Sequence, residues 1–315
     1  MLSKTNMAMY SCSITHKVAD VDLLQLRHFQ AVARHQHVSR AAAELRVAQP
    51  ALSRSIARLE AELGVALFDR HGRRVRLNRF GALFLARVQN TLGELDQARQ
   101  ELRDAAGLAR GTVAVAVETL RLVTELAAGF LADHPEVSLR LYQSPAPLMS
   151  AQLQAGEVDL CLASQPLAGP GLEATEILSE EVLLAVPPGH RLAGRTRVGV
   201  EKLVGEPFVT TRPGYWQRAL ADRLFTAAGI QPAIVCEGDE PYAVRSLISA
   251  GVGVGLIPAV ARRVAPHPPV AWLHLDAPGC RRTLSLVWRT DAYLSAAARA
   301  LSEFAPGYFL TWRGE

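Results

Sequence analysis

The chain has 315 residues, of which 49% are hydrophobic and 20% charged, with a formal net charge of +4. That is enough chain for two or three domains with buried cores, and it excludes a disordered or low-complexity protein. No apolar run approaches a membrane span, and residues 1–21 hold none long enough for a signal peptide, so an exported or membrane protein is excluded and the cytoplasm is expected.

The leader 1–21 offers Met7 and Met9 as alternative starts, and the fold begins after it. Asp22 with Gln25 three residues later has the form of a capping box, opening a helix whose Leu26, Phe29 and Ala33 make one stripe. A second helix is expected over Arg40–Arg46, capped by Ser39. Its small residues Ala41, Ala42 and Ala43 permit close packing. Only Val47 and Ala48 separate it from QPALSRSIARLEAELG, Gln49–Gly64. There Leu52, Ile56, Leu59 and Leu63 line one face, Pro50 sits in the first turn, and Arg54, Ala57 and Arg58 face outward with Gln49 and Ser53 on the flank. Such a face, free of bulky apolar groups, suits a major groove about 12 Å wide. Taken alone, the segment also fits an ordinary amphipathic surface helix. Two helices joined by so short a turn form a helix-turn-helix, whose second helix reads the groove.

Residues 67–77, LFDRHGRRVRL, alternate Val75 and Leu77 with basic residues around Gly72, the pattern of a hairpin wing whose Arg70, Arg73 and Arg74 are placed to touch phosphate. Charge follows the same division. Between Asp22 and Arg110 there are 15 arginines and 9 acidic residues, whereas Gly111–Glu315 has 17 basic against 20 acidic residues. The basic excess therefore coincides with the helix-turn-helix, which favours a phosphate footprint over a merely solvated face.

Asn78 then caps a long helix, and Leu85, Val88, Leu92, Leu95, Arg99, Leu102 and Ala106 recur at alternating spacings of 3 and 4. A coiled-coil partner fits this stripe, and so does packing on the helix's own domain. Beyond Gly111 strand and helix alternate: strands at 112–117, 137–142 and 158–163 enclose helices at 120–133 and 147–155, a parallel βαβαβ unit. After a strand at 182–186 the cycle restarts with strands at 208–211, 233–236 and 253–257 and helices at 216–228 and 241–250. Strands at 271–275 and 283–289 lead to a last helix, 292–305. The expected fold is a winged helix-turn-helix (22–78), a linker helix (79–110) and a two-lobed α/β domain (111–306), with lobe 1 at 111–183 and 288–306, lobe 2 at 184–287, and a tail at 307–315.

Ligands of open α/β sheets meet the carboxyl ends of strands and the helix N-termini behind them. Those ends carry Glu118, Thr119, Ser144, Ser164, Thr210, Thr211, Arg212 and Pro258. Hydroxyls, helix N-termini and Arg212 favour a carboxylate-bearing effector, while each hydroxyl serves equally well as a helix cap. Glu118 runs against an anion; pairing with Arg212, pointing away from the cleft, and accepting a cationic group all remain open for it.

Chemistry of other kinds finds little support. Gly251, Gly253 and Gly255 lack the last glycine of a dinucleotide loop, His35 and His37 have no metal-ligand companions, and Cys12, Cys161, Cys236 and Cys280 form no CxxC pair. No P-loop, HExxH or GxSxG motif occurs, so no cofactor, metal or catalytic residue is expected.

In SRAAAELRVAQPALSRSIARLEAELGVALFDR, followed by GRRVRLN, a long helix and the two-lobed domain, the chain closely resembles the LysR-type transcriptional regulators over about residues 22–306. One departure is Ala48, where the family often has a Ser or Thr cap; the missing cap costs about 1 kcal/mol. The resemblance implies promoter DNA bound by dimers paired into a tetramer, an effector domain like periplasmic binding proteins with its ligand between the lobes, and RNA polymerase as a partner if the protein activates. The competing reading is a two-lobed solute-binding protein, or an enzyme on that scaffold, whose N-terminal segment serves assembly.

Overall fold

The computed structural model describes residues 21–71, 74–105, 111–262 and 269–310, and the chain divides into two compact units, Met1–Leu92 and Gly93–Glu315. The expected leader, apart from Val21, lies outside the described residues.

In the first unit α1 (Leu23–His35) starts from the anticipated capping box: Asp22 accepts from the Leu24 amide, and the Gln25 side chain accepts from the Asp22 amide at 2.8 Å. Helix α2 (Val38–Leu45) begins before its expected start, with His37 at the N-cap. Ser39 therefore lies inside the first turn, exposed, and caps nothing. The turn that follows places Arg46 in the left-handed region at φ 54°, and the Val47 amide closes it on the Ala42 carbonyl at 3.0 Å. Helix α3 (Gln49–Leu63) has Ala48 at its N-cap with no side-chain hydrogen bond, as its sequence requires, and stops at Gly64 with φ 70°. Leu52, Ile56 and Leu59 bury with Phe29, Leu67 and Val75 in one core, where the Phe29 ring lies 5.4 Å from Phe68 and 5.3 Å from Phe84. The wing is the antiparallel pair β1 (Phe68–His71) and β2 (Arg74–Leu77).

Helix α4 (Arg79–Ala105) is capped as expected, Asn78 Oδ1 accepting from the Phe80 and Gly81 amides at 2.9 Å each. Its apolar stripe is not a free seam. Val88 and Leu92 are buried, and Leu85 partly so, in the same core as Phe29 and Leu67. Leu95 is half-buried and Leu102 is 70% exposed. The stripe thus serves two purposes: its first half completes the winged domain, while Leu95 and Leu102 in its second half stay outside that core, and Phe80 and Leu83 are exposed beside the stripe.

The second unit contains β3 (Thr112–Val117), α5 (Thr124–Asp133) after a short 3-10 turn, β4 (Ser138–Gln143), α6 (Ala146–Gln154) and β5 (Leu160–Ala163), with β3 parallel to both β4 and β5. Next come β6 (Leu172–Val186), β7 (Arg197–Gly199), β8 (Pro207–Thr211), α7 (Trp216–Ala227), β9 (Ala233–Gly238), α8 (Ala243–Ser249), β10 (Gly255–Pro258), β11 (Ala271–Asp276), β12 (Arg281–Arg289) and α9 (Ala296–Leu310). The principal sheet runs β4-β3-β5-β12-β6-β11-β7, with β10 also on β6, while β8 and β9 form a separate parallel pair.

Two strands, β6 and β12, join the lobes. Ile177, Leu178, Leu284 and Leu286 belong to the core of lobe 1, whereas Val182, Leu184 and Cys280 belong to that of lobe 2. The crossings therefore fall at 179–181 and 281–283, earlier than the boundaries expected at 183 and 288, and a register shift in the β6–β12 pairing lies beside them between Leu284 and Ser285. The sequence shows only the apolar end of β6, because residues 173–176 are exposed and, apart from Ala174, polar. Likewise α9 runs through Pro306 to Leu310, into the expected tail, since burial of Phe309 and packing of Tyr308 on the lobe 1 core offset the hydrogen bond proline cannot make.

Candidate nucleic-acid interface and ligand cleft

The outward face of α3 is built by exclusion. Once Leu52, Ile56 and Leu59 are committed to the core, the helical period leaves Gln49, Pro50 and Arg54 exposed and Ser53 half-buried at the flank. The Gln49 side-chain amide donates to the Ser53 hydroxyl at 3.2 Å, so the two act as one polar unit. Arg54 has no carboxylate partner among the described residues. Arg58, 70% exposed, donates to Glu62 at 2.7 Å, and Glu62 also accepts from Gln25 at 3.1 Å, which ties this arginine back to α1. Helix α3 starts without a side-chain cap: Pro50 carries no N–H, and the Ala51 and Leu52 amides donate to the Ala48 carbonyl at 2.9 and 3.1 Å. The side chains of Arg70, Arg73 and Arg74 lie outside the described residues.

The cleft lies between the lobes of the second unit and encloses about 600 Å³ of empty space, counting its open mouth. Thr119, Arg121 and Leu122 line it from lobe 1; Trp216, Gln217, Tyr242, Arg245, Ile257 and Pro258 line it from lobe 2. Arg282, on the crossing strand β12, completes the wall.

Of the eight expected cleft residues, Thr119 and Pro258 face this space directly. The Thr119 hydroxyl donates to Glu240 at 3.1 Å across the lobes, and the same carboxylate accepts from Gln143 at 2.7 Å and from the Tyr242 amide at 3.0 Å. Ser164 reaches the wall through Arg282, whose Nε donates to its hydroxyl at 2.8 Å. Ser144 is buried and donates to Gln152 at 2.8 Å, so its hydroxyl is committed within lobe 1. Thr210 and Thr211 are buried at the end of β8, and the Thr211 hydroxyl has no partner. Arg212 is exposed and forms a two-toothed ion pair with Asp239, which removes it as a partner for Glu118.

Glu118 is instead buried near Arg282. Neither of its oxygens makes a hydrogen bond, although the Ser164 hydroxyl and amide and the Trp216 amide lie near enough to favour its charged form. Burial pushes its carboxyl above the usual range, the Arg282 charge acting in the opposite direction. Arg282 is 3% exposed, faces Glu180 at 3.4 Å across the β6–β12 register, lies 5.0 Å from the Trp216 ring, and leaves Nη2 without a partner.

Sequence reasoning missed Arg282, Trp216, Gln217, Tyr242 and Arg245. For Arg282 a signal existed: in RRTLSLVW it falls in phase with Leu284 and Leu286, and all three are buried. An arginine on the inward phase of a strand needs a buried partner. The others sit at the N-cap or in the first turn of a helix, where nothing local distinguishes a wall residue from a core residue.

Comparison with known proteins agrees with this architecture. The family model described as "Bacterial regulatory helix-turn-helix protein, lysR family" matches residues 23–82, and "LysR substrate binding domain" matches residues 106–309. An uncharacterized HTH-type transcriptional regulator of Bacillus subtilis (strain 168), YybE, is 34% identical over 288 residues, covering 90% of this chain and 98% of the relative. Among solved structures, CbnR, a LysR family transcriptional regulator, has a TM-score of 0.65 at 23% identity, covering 90% of this chain and 98% of its own. The effector-binding domain of QuiR in complex with shikimate has a TM-score of 0.56 at 22% identity, covering 64% of this chain and 98% of its own. These two likenesses concern the fold.

Proposed function

The chain belongs to the LysR family of transcriptional regulators, and on that premise we propose how its two sites work. It is a DNA-binding regulator with an effector-binding domain, not an enzyme. In our reading Gln49, Ser53 and Arg54 contact base edges of promoter DNA, with Pro50 at the helix entry, while Ser39, Arg58, Arg70, Arg73 and Arg74 hold phosphates. The observation that carries this is the outward face of α3, where Arg54 stands exposed with no carboxylate partner among the described residues. An arginine fork in that position fits the O6/N7 edge of guanine.

A gel shift with the DNA upstream of the protein's own gene tests it. Arg54→Ala is expected to relax preference among operator variants by about 1–3 kcal/mol at one base position, whereas Arg73→Ala weakens all sequences alike and lowers the salt slope by about one. Unchanged preference in Arg54→Ala would remove that residue from base reading.

The effector is a small organic acid bound between the lobes, working in the cytoplasm alongside the promoter. Arg121, Arg245 and Arg282 in the wall support an anionic group, and Thr119 supports a hydroxyl anchor. Such a ligand shifts the regulator only through its difference in affinity between DNA-bound arrangements, about 1–3 kcal/mol of coupling. Thr119→Val is expected to blunt the ligand response without impairing ligand-free DNA binding; Ser144→Ala, whose hydroxyl is buried against Gln152 and does not line the cleft, serves as a control. Dimers assemble through the exposed second half of α4 around Leu95 and Leu102 and pair into tetramers, with RNA polymerase as the partner in activation.

A further inference from the structure

Buried polar atoms without partners are few in folded proteins, because each costs about 1–3 kcal/mol. Here six such atoms occur among the described residues. His37 Nδ1 is at the start of α2; the other five belong to Glu118, Thr211, Gln217 and Arg282. Glu118 follows β3, Thr211 ends β8, Gln217 lies in the first turn of α7, and Arg282 covers the ring of Trp216 beside it. Glu118 is 2% exposed, and its neighbours Thr119, Trp216 and Arg282 all line the cleft. Of these residues Gln217 and Arg282 line the cavity assigned above to the effector, and Glu118 lies directly behind them, beside Thr119, Trp216 and Arg282.

Their polarity is informative. Glu118 offers two acceptor oxygens and Gln217 one, since its amide nitrogen already donates to the Leu256 carbonyl at 3.4 Å. Arg282 Nη2 is the one unpartnered donor atom, with two N–H bonds, and the Thr211 hydroxyl serves in either sense. A plain carboxylate brings acceptors only. It would become the third carboxylate around one guanidinium, after Glu180 at 3.4 Å and Glu118. The seat that a plain carboxylate would otherwise use, formed by the Thr119 hydroxyl, the Gln143 amide and the Tyr242 N–H, is filled by Glu240. Arg245 is turned to the Ala261 carbonyl at 2.7 Å and to the Trp272 ring, and Arg121 to the Tyr242 ring.

We propose that the ligand of this cleft is amphoteric, an α-amino acid or a compound with the same pair of groups, whose ammonium sits on Glu118 and Gln217 and whose carboxylate takes Arg282 Nη2. Its side chain lies against Leu122, Trp216, Tyr242 and Ile257. This rests on the reading of the cleft as the effector site and narrows its organic acid to one that carries an amine. An ammonium supplies donors to the unpartnered oxygens of Glu118 and Gln217 and gives the buried carboxylate a paired charge, while the ligand's carboxylate accepts from Arg282 Nη2.

The test is calorimetric titration of the full chain with the proteinogenic L-amino acids, each beside its des-amino acid. One or more amino acids are expected to bind, with the matching des-amino acid at least about tenfold weaker, because a site built for a donor rejects the analogue lacking it. In Glu118→Gln, a near-isosteric change that removes a buried charge, discrimination is expected to fall to about twofold. A des-amino acid that binds wild type as tightly as its amino acid would overturn the inference and leave the organic-acid cleft standing, as would discrimination that survives intact in Glu118→Gln. Binding of neither class at millimolar concentration, to wild type or variant, would overturn both, the floor then being satisfied by water only.

Discussion

On α3 the functional side chains Gln49 and Arg54 stand in solvent while Leu52, Ile56 and Leu59 do the packing; in the cleft Glu118, Gln217 and Arg282 are themselves buried. The first arrangement separates function from stability, because the groups offered to DNA contribute nothing to the core. The second joins them. A buried guanidinium that faces Glu180, Ser164 and Trp216 at the crossing of two strands holds the lobes together and also shapes the ligand floor. Changes on the helix should therefore alter specificity at constant stability, and changes in the cleft should alter both.

The largest test of that contrast is Arg282→Met. It leaves Glu180 and Glu118 buried without their shared cation and is expected to cost about 3–5 kcal/mol in urea unfolding of the second unit. Adding Glu118→Gln should return part of the loss. The sign of its pH dependence follows from the direction of the shift. Burial raises the Glu118 carboxyl, so its contribution to stability is fully present below the ordinary carboxylate range and is lost as pH rises through its raised value. Wild type should gain stability relative to Glu118→Gln as pH falls from neutral toward 5, read from melting temperatures; a constant difference would show that Glu118 does not titrate in that window.

Leu92→Ala comes next, at about 2–5 kcal/mol, because Leu92 is 3% exposed in the winged domain's core. Leu102→Asp, at a position 70% exposed, should leave stability within about 0.5 kcal/mol yet weaken the dimer in sedimentation. If both variants fail in the same way, the division of α4 into a core half and a partner half is wrong. Arg54→Ala, with its 1–3 kcal/mol relaxation of base preference, should not move the urea midpoint at all. Smallest is Arg46→Gly. The left-handed φ of 54° strains any residue but glycine, and relief of that strain should add about 0.5–1 kcal/mol.

Much of this molecule was legible in its sequence where the determinants are local. The capping box at Asp22, the apolar stripe of α3, the cap at Asn78 and the βαβαβ alternation of lobe 1 are each set by residues within a few positions of one another, and each appears in the structure. Ser39 as a cap misled because His37 already ends the preceding loop in an extended conformation, which starts the helix earlier.

What only tertiary structure decided are relations over long stretches of chain. A heptad pattern in α4 cannot say whether Leu85, Val88 and Leu92 meet a second copy or Phe29, since both environments are equally apolar. Which charges share a site was likewise hidden: Glu118 lies beside Arg282, 164 residues on, and not beside Arg212, which Asp239 claims. The sequence determined that the chain makes a winged helix-turn-helix, a long helix and two α/β lobes, because periodicity and capping act over a turn or two of backbone. Packing decided that β6 and β12 cross between the lobes as continuous strands and that Arg282 stands at that crossing, because the cost of burying a charge is settled by partners that the fold alone brings within reach.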